Sequence, residues 1–274
     1  MLPCRETRLF PALLRYWRAG RGLSQLDLAL AADVSARHLS FLETGRARPS
    51  REMVLRLAAT LDVPLRDQNA LLEAAGHSAE FAEPGLDELA PPIAQALARM
   101  LAAQEPYPMT ILDRRYDLLR ANASATSVLL RFVVEPAALP SPLNGFAFVF
   151  DPSLARPFIL GWERLAHDMA ARLHREVLAR PQDAALAALL ESLFAYPDVP
   201  DSWRQPDFST PSQPTAELRL RKEEVELGFL TTITAFSAPQ NVTLEELRIE
   251  SYFPLDAATA RACEQMAVQA GRSA

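Results

Sequence analysis

Leu23 to Pro49 reads LSQLDLALAADVSARHLSFLETGRARP, and its spacing predicts two short helices joined by a tight turn. Ser24 stands where a helix N-cap is needed, and Asp27, three residues on, serves as a shortened capping-box partner. Leu26, Ala29 and Leu30 form the expected buried stripe, with Ala29 small enough for two helices to cross closely. Asp33 and Val34 make the turn, and Ser35 caps the next helix. Leu39 and Leu42 face inward there, which leaves Arg37, His38, Ser40 and Phe41 to point elsewhere. Gly45 is a good C-terminal stop, and Arg46 and Arg48 follow in the loop.

Working outward, residues 9–20 place Phe10, Leu13, Leu14 and Trp17 at helical spacing. Pro49-Ser50 opens a further helix, Val63-Pro64 breaks it, and residues 65–76 complete an all-α unit of five helices over 1–76. Residues 77–91 are acidic and proline-bearing, as a linker would be. From 92 to 274 the pattern is mixed. A helix over 92–104 precedes a hairpin over 108–120. Asn122 caps a helix, and Asn144 to Phe150 sets Phe146, Phe148 and Phe150 at alternating positions. Two central helices cover 158–180 and 183–195, and a proline-punctuated loop spans Pro197 to Pro214. Three strands follow, over 215–221, 225–236 and 247–253, read as an antiparallel meander, and a helix closes the chain. The early hairpin must join a sheet completed far away in sequence.

The totals bound the function classes. Hydrophobic content of 49% supports packed cores, and the net charge is -6. Residues 1–80 carry about +2 and the remainder about -8, and only Lys222 among the basic residues is lysine. A weakly basic head on an acidic body suits a DNA-binding unit joined to something that is not one. Cys4 and Cys263 lie near opposite ends without ligand spacing, so no disulfide framework, zinc site or other metal site is expected. No apolar run reaches a membrane span and no signal peptide is expected, so the default location is the reducing cytoplasm. GxSxG, P-loop and GxGxxG motifs are absent. His167 and His174 stand seven apart rather than the four of a helical zinc pair. No enzyme chemistry and no cofactor, heme included, is therefore expected.

Ser24-Gln25, Ala29, Val34-Ser35 and Leu42-Glu43-x-Gly45 resemble the helix-turn-helix of the xenobiotic-response-element, phage-repressor-like family, over residues 9–76. Ile111 to Tyr116 with Asn122, Gly161-Trp162-Glu163, and Leu247 to Pro254 resemble the ligand-binding domain of MmyB-like transcription regulators. These resemblances imply a lambda-repressor-like DNA-binding domain followed by an α+β PAS-like domain with an antiparallel sheet. They imply a ligand-responsive transcriptional regulator that binds double-stranded operator DNA and a small apolar ligand, with a fatty acid the leading type. In that architecture the third helix enters the major groove. Gln25 then reaches a phosphate, Arg37 pairs with guanine, and Ala36 touches a thymine methyl. Ser35, His38 and Ser40 are base or phosphate partners, and Arg46 and Arg48 grip phosphates. A homodimer is expected from the need to span two half-sites about 34 Å apart. For the ligand, the candidate contacts are Phe146, Phe148, Trp162, Phe229 and Phe236, with Arg131 or Arg172 for a carboxylate. The competing reading is a lipid or metabolite carrier whose helical head binds protein rather than DNA.

Overall fold

The computed structural model describes residues 9–180, 183–205 and 216–273, and the chain divides into two compact units. Cys4 and the later part of the Pro197–Pro214 loop lie outside the described residues.

The first unit runs to Gly85 and includes a distant segment, Ser237–Glu245. Its helices are α1 (Leu9–Gly20), α2 (Gln25–Ala31), α3 (Ala36–Glu43), α4 (Arg51–Thr60) and α5 (Leu65–Ala74). Serines open three of them: Ser24, Ser35 and Ser50 each accept a hydrogen bond from the backbone N–H three residues on. Their core holds Phe10, Leu14, Trp17, Leu28, Leu39, Leu42, Leu57 and Leu72. The α2 stripe differs from expectation. Leu28, Ala29 and Ala32 are buried, while Leu26 and Leu30 are 57% and 72% exposed. Both sets repeat with helical period, and the larger side chains sit on the solvent face, so spacing alone selected the wrong pair. After α5, Asn69 Oδ1 accepts from the N–H groups of Glu80 and Phe81, and its Nδ2 donates to the Phe81 carbonyl. Residues 77–85 are thereby held to the helical unit. The segment Ser237–Glu245 belongs here too: Val242 N–H donates to the Ala82 carbonyl, and Thr243 Oγ1 to that of Pro84.

The second unit comprises Leu86–Phe236 and the chain from Glu246 on. Its strands are β1 (Met109–Leu112), β2 (Leu118–Ala121), β3 (Ala216–Lys222), β4 (Val225–Thr234) and β5 (Arg248–Pro254). They form one antiparallel sheet in the order β2-β1-β5-β4-β3. The three late strands are the expected meander, and the early hairpin joins it through β1, with Thr110 opposite Glu250 and Ile111 opposite Ile249. The helices are α6 (Pro91–Ala103), α7 (Ala123–Arg131), α8 (Gly145–Phe150), α9 (Trp162–Ala179), α10 (Ala184–Leu193), α11 (Val242–Glu246), which begins in the helical unit's segment, and α12 (Ala257–Ser273). The alternating phenylalanines lie on α8. Asn144 Oδ1 accepts from the N–H groups of Phe146 and Ala147, and this cap starts a helix that buries Phe146, Phe148 and Phe150 together.

Candidate DNA interface and ligand cavity

On the helical unit, α2 starts from a full capping box. Ser24 Oγ accepts from Asp27 N–H at 3.1 Å, and Asp27 Oδ2 accepts from Ser24 N–H at 3.0 Å. Hydrogen bonding to the carboxyl by Ser24, through its hydroxyl first and its backbone N–H second, holds Asp27 below its ordinary range. The turn places Asp33 at φ +54°, in the left-handed region that Asp tolerates. α3 ends in a Schellman arrangement: Gly45 lies at φ +73°, and Arg46 N–H donates to the Phe41 carbonyl at 2.8 Å.

A buried ion pair fixes the two helices. Glu43 is 1% exposed and receives Arg18 Nε at 2.6 Å and Nη2 at 3.1 Å. Gln25 Nε2 donates to the same carboxylate at 2.7 Å, and Arg18 Nη1 donates to the Leu23 carbonyl. One side chain on α3 thus positions α1, the entry to α2 and Gln25. The hydrogen bond to Glu43 raises the Arg18 pKa further above its ordinary value. Sequence reasoning missed this pair. Its signal was a carboxylate directly after Leu42 and four residues after Leu39, on the inward stripe of α3.

Ser35, Ala36, Arg37, Arg46 and Arg48 are exposed, whereas Gln25, His38 and Ser40 are half-buried. Ser35 Oγ serves as the α3 cap, accepting from His38 N–H. The Arg37 guanidinium stands 5.4 Å from the Phe41 ring centroid, a cation–π contact that restrains it one helical turn away. Gln25 keeps its second amide hydrogen beyond the bond to Glu43.

The second unit contains a cavity of about 120 Å³. A single water needs about 10–15 Å³ on the same measure, so the space suits a small organic molecule. Leu112, Val128, Phe148, Leu165, Met169, Leu218 and Phe229 supply apolar wall. The lining residues with polar side chains are Thr110, Arg172, Thr231, Glu250, Tyr252 and Tyr116. Strand pairing explains this grouping: Thr110 faces Glu250 across β1 and β5, and Thr231 faces Tyr252 across β4 and β5. Tyr252 Oη donates to Glu250 Oε2 at 2.8 Å. Burial, with the neighbouring Glu250 carboxylate second, pushes the Tyr252 phenol well above its ordinary pKa. Thr110 Oγ1 is buried beside that phenol without a well-formed hydrogen bond.

Arg172 and Arg248 differ in their partners. Arg248 pairs with Glu176, which also accepts the Tyr116 hydroxyl. The Tyr116 ring carries both guanidiniums, Arg248 at 4.3 Å and Arg172 at 5.4 Å from its centroid. Burial raises the Tyr116 pKa strongly, against a lowering by the two arginines. Arg172 Nε is buried without a hydrogen-bond partner, and among the described residues no carboxylate lies within ion-pair range of its guanidinium.

Of the ligand contacts expected from sequence, Phe148, Phe229 and Arg172 line this cavity. The others do not. Phe146 packs edge-on against Tyr116 at 4.7 Å in the core. Trp162 lies under Arg156 at 3.6 Å and donates its indole N–H to the Val149 carbonyl. Arg131 stands at the end of α7 near Glu223, and Phe236 lies beyond the end of β4. Thr110, Glu250 and Tyr252 were missed as a polar group, because the pairing that assembles them joins strands about 140 residues apart in sequence. His174 is buried and hydrogen-bonded through Nε2 to the Trp203 carbonyl at 2.8 Å.

The family model of the MmyB-like transcription regulator ligand binding domain matches residues 93–266, most of the chain. The chain belongs to the MmyB-like transcription regulators. In this MmyB-like regulator a helix-turn-helix family model also matches residues 14–68, which contain α2, α3 and the Arg18–Glu43 pair. This domain pair is that of a ligand-responsive DNA-binding transcription regulator, not of an enzyme family. No curated relative matches the MmyB-like regulator. Among solved structures it is similar to one of an RNA-binding light-oxygen-voltage receptor, at 12% identity and a TM-score of 0.29. That alignment covers 96% of this chain, which spans 63% of the receptor's length, and a likeness so slight carries no argument. Among the described residues no helix is long and apolar enough to cross a membrane.

Proposed function

We propose that this chain binds a palindromic operator as a homodimer, and that a small apolar acid, foremost a fatty acid, alters its occupancy from the cavity of the second unit. The observation that carries the ligand reading is Arg172. Its Nε is buried without a partner in a mainly apolar cavity and no carboxylate among the described residues pairs with its guanidinium, which is costly, and a ligand carboxylate offsets that cost. The acyl chain then lies along Phe148, Leu165, Met169 and Phe229. At the DNA end, Arg37 reads guanine, Ala36 meets a thymine methyl, and Ser35, His38 and Ser40 contact neighbouring bases or phosphates. Gln25, Arg46 and Arg48 hold phosphates. A ligand changes occupancy only if it binds the two states of the dimer unequally. Against a carrier whose helical head binds protein stand the helix-turn-helix match and the exposed Arg37 on its third helix, with Arg46 and Arg48 in the loop that follows.

Native mass spectrometry of freshly purified protein tests both parts of the protein-level reading, because it reports the oligomeric state and any bound acid together. A gel shift against upstream DNA over a salt series, with and without added fatty acid, tests the rest. A monomer with no specific shift at low salt overturns the DNA reading. A delipidated chain that binds no fatty acid overturns the ligand reading.

A further inference from the structure

We propose that the ligand's head carries a hydrogen-bond donor beside its acid group: a hydroxy-substituted acyl acid, its carboxylate on Arg172 and its hydroxyl between Thr110 and Glu250. The inference rests on the acyl-acid reading above and narrows it.

The argument begins with Glu250. It is 8% exposed, lines the cavity, and faces Thr110, itself 6% exposed, across the β1–β5 pairing. A carboxylate accepts about four hydrogen bonds. Glu250 receives one, from Tyr252, and among the described residues no cation pairs with it. A plain fatty acid adds a second carboxylate to a cavity whose one unpaired cation is Arg172. Two desolvated carboxylates served by one guanidinium repel each other, and Glu250 remains short of donors. A hydroxyl near the ligand's carboxylate removes both faults. Its O–H donates to Glu250, and its oxygen accepts from Thr110 Oγ1, the buried hydroxyl that has no well-formed hydrogen bond. The placement is consistent along the walls. Arg172 lies one turn beyond Met169 on α9, and Tyr252 lies two residues beyond Glu250 on β5, so acid, hydroxyl and apolar chain are met in one cavity.

The delipidated full-length chain is titrated with decanoic acid and 3-hydroxydecanoic acid by calorimetry, alongside Glu250→Gln and the isosteric Thr110→Val. Wild type is expected to bind the hydroxy acid about tenfold tighter, the equivalent of one hydrogen bond to a charged group. Both variants are expected to bind the two acids nearly equally, with Glu250→Gln gaining affinity for the plain acid. If the plain acid binds wild type as tightly as the hydroxy acid, the inference fails and the acyl-acid reading stands. A preference that survives in Thr110→Val and Glu250→Gln also overturns it. If neither acid binds wild type, the acyl-acid reading itself fails.

Discussion

Glu43 makes the recognition helix sensitive to a single side chain. Its carboxylate is buried and holds Arg18 and Gln25 at once. Glu43→Ala leaves the Arg18 guanidinium, largely buried itself, without its counter-ion, and should destabilise the helical unit by about 3–5 kcal/mol. Replacing both partners by Leu and Met should restore most of that loss, since the pair's desolvation is then avoided. Urea midpoints decide the matter, and a Glu43→Ala cost under about 1 kcal/mol would sink the argument. The exposed arginines separate by role. Arg37→Ala should relax sequence preference at one base by about 1–3 kcal/mol, whereas Arg46→Ala should weaken all sequences alike and reduce the salt slope by about 1. Binding isotherms over a salt series distinguish the two, and an unchanged preference in Arg37→Ala removes its assigned role. Cys263 gives a pH prediction. Burial, with Glu264 second, pushes its thiol from 9.0 to about 11. The folded chain therefore holds this proton more tightly than the unfolded one. That contribution is complete below the unfolded pKa, and is lost as pH rises through the window from 9.0 to about 11. In a Cys4→Ser background, iodoacetamide at pH 8.5 should modify unfolded chain and spare folded chain, and rapid labelling of the folded chain contradicts the assignment.

At the scale of elements, several helices start from a local side-chain cap, and α5 starts from a distant one. Ser24, Ser35, Ser50, Asn122, Asn144 and Asp183 each cap the helix that follows them in sequence. α5 begins at Pro64, which supplies no side-chain cap, and Leu65 N–H donates instead to Glu245 Oε2 at 2.7 Å, from the segment between β4 and β5. Glu245→Ala should cost the helical unit about 1 kcal/mol, the usual worth of a lost cap, read as a fall in its urea midpoint. An unchanged midpoint shows the bond to be dispensable. The same contrast explains what sequence could tell. The helix-turn-helix was legible because its caps, turn and glycine stop are consecutive and each has its own steric reason. The order of the strands was legible as a meander plus a hairpin. The stripe of α2 was not, because Leu26 and Leu30 repeat with the same period as Leu28 and Ala32. The polar wall of the cavity was not either, because Thr110 and Glu250 meet only through strand register.

Across the whole molecule the chain passes between the units at Gly85, at Phe236 and again at Glu245. The two later crossings bracket the segment that caps α5, and the strands leading into and out of it are β4 and β5. Those strands carry Phe229, Thr231, Glu250 and Tyr252 of the cavity wall. A ligand held there stabilises the folded state of these strands in proportion to RT ln(1 + [L]/Kd), about 2.7 kcal/mol at a hundredfold excess over Kd. Fewer openings of β4 and β5 mean fewer excursions of the nine-residue segment they anchor, and Glu245 then stays longer on the Leu65 amide. Native-state hydrogen exchange at Leu65 should therefore slow when a fatty acid occupies the cavity, although that amide belongs to the helical unit. In Glu245→Ala the same amide should exchange faster and no longer respond to the acid, while exchange in β4 still slows. Leu65 exchange that ignores the acid in wild type, with β4 protected, would show that occupancy of the cavity stops at the strands and reaches the DNA-binding helices by another route.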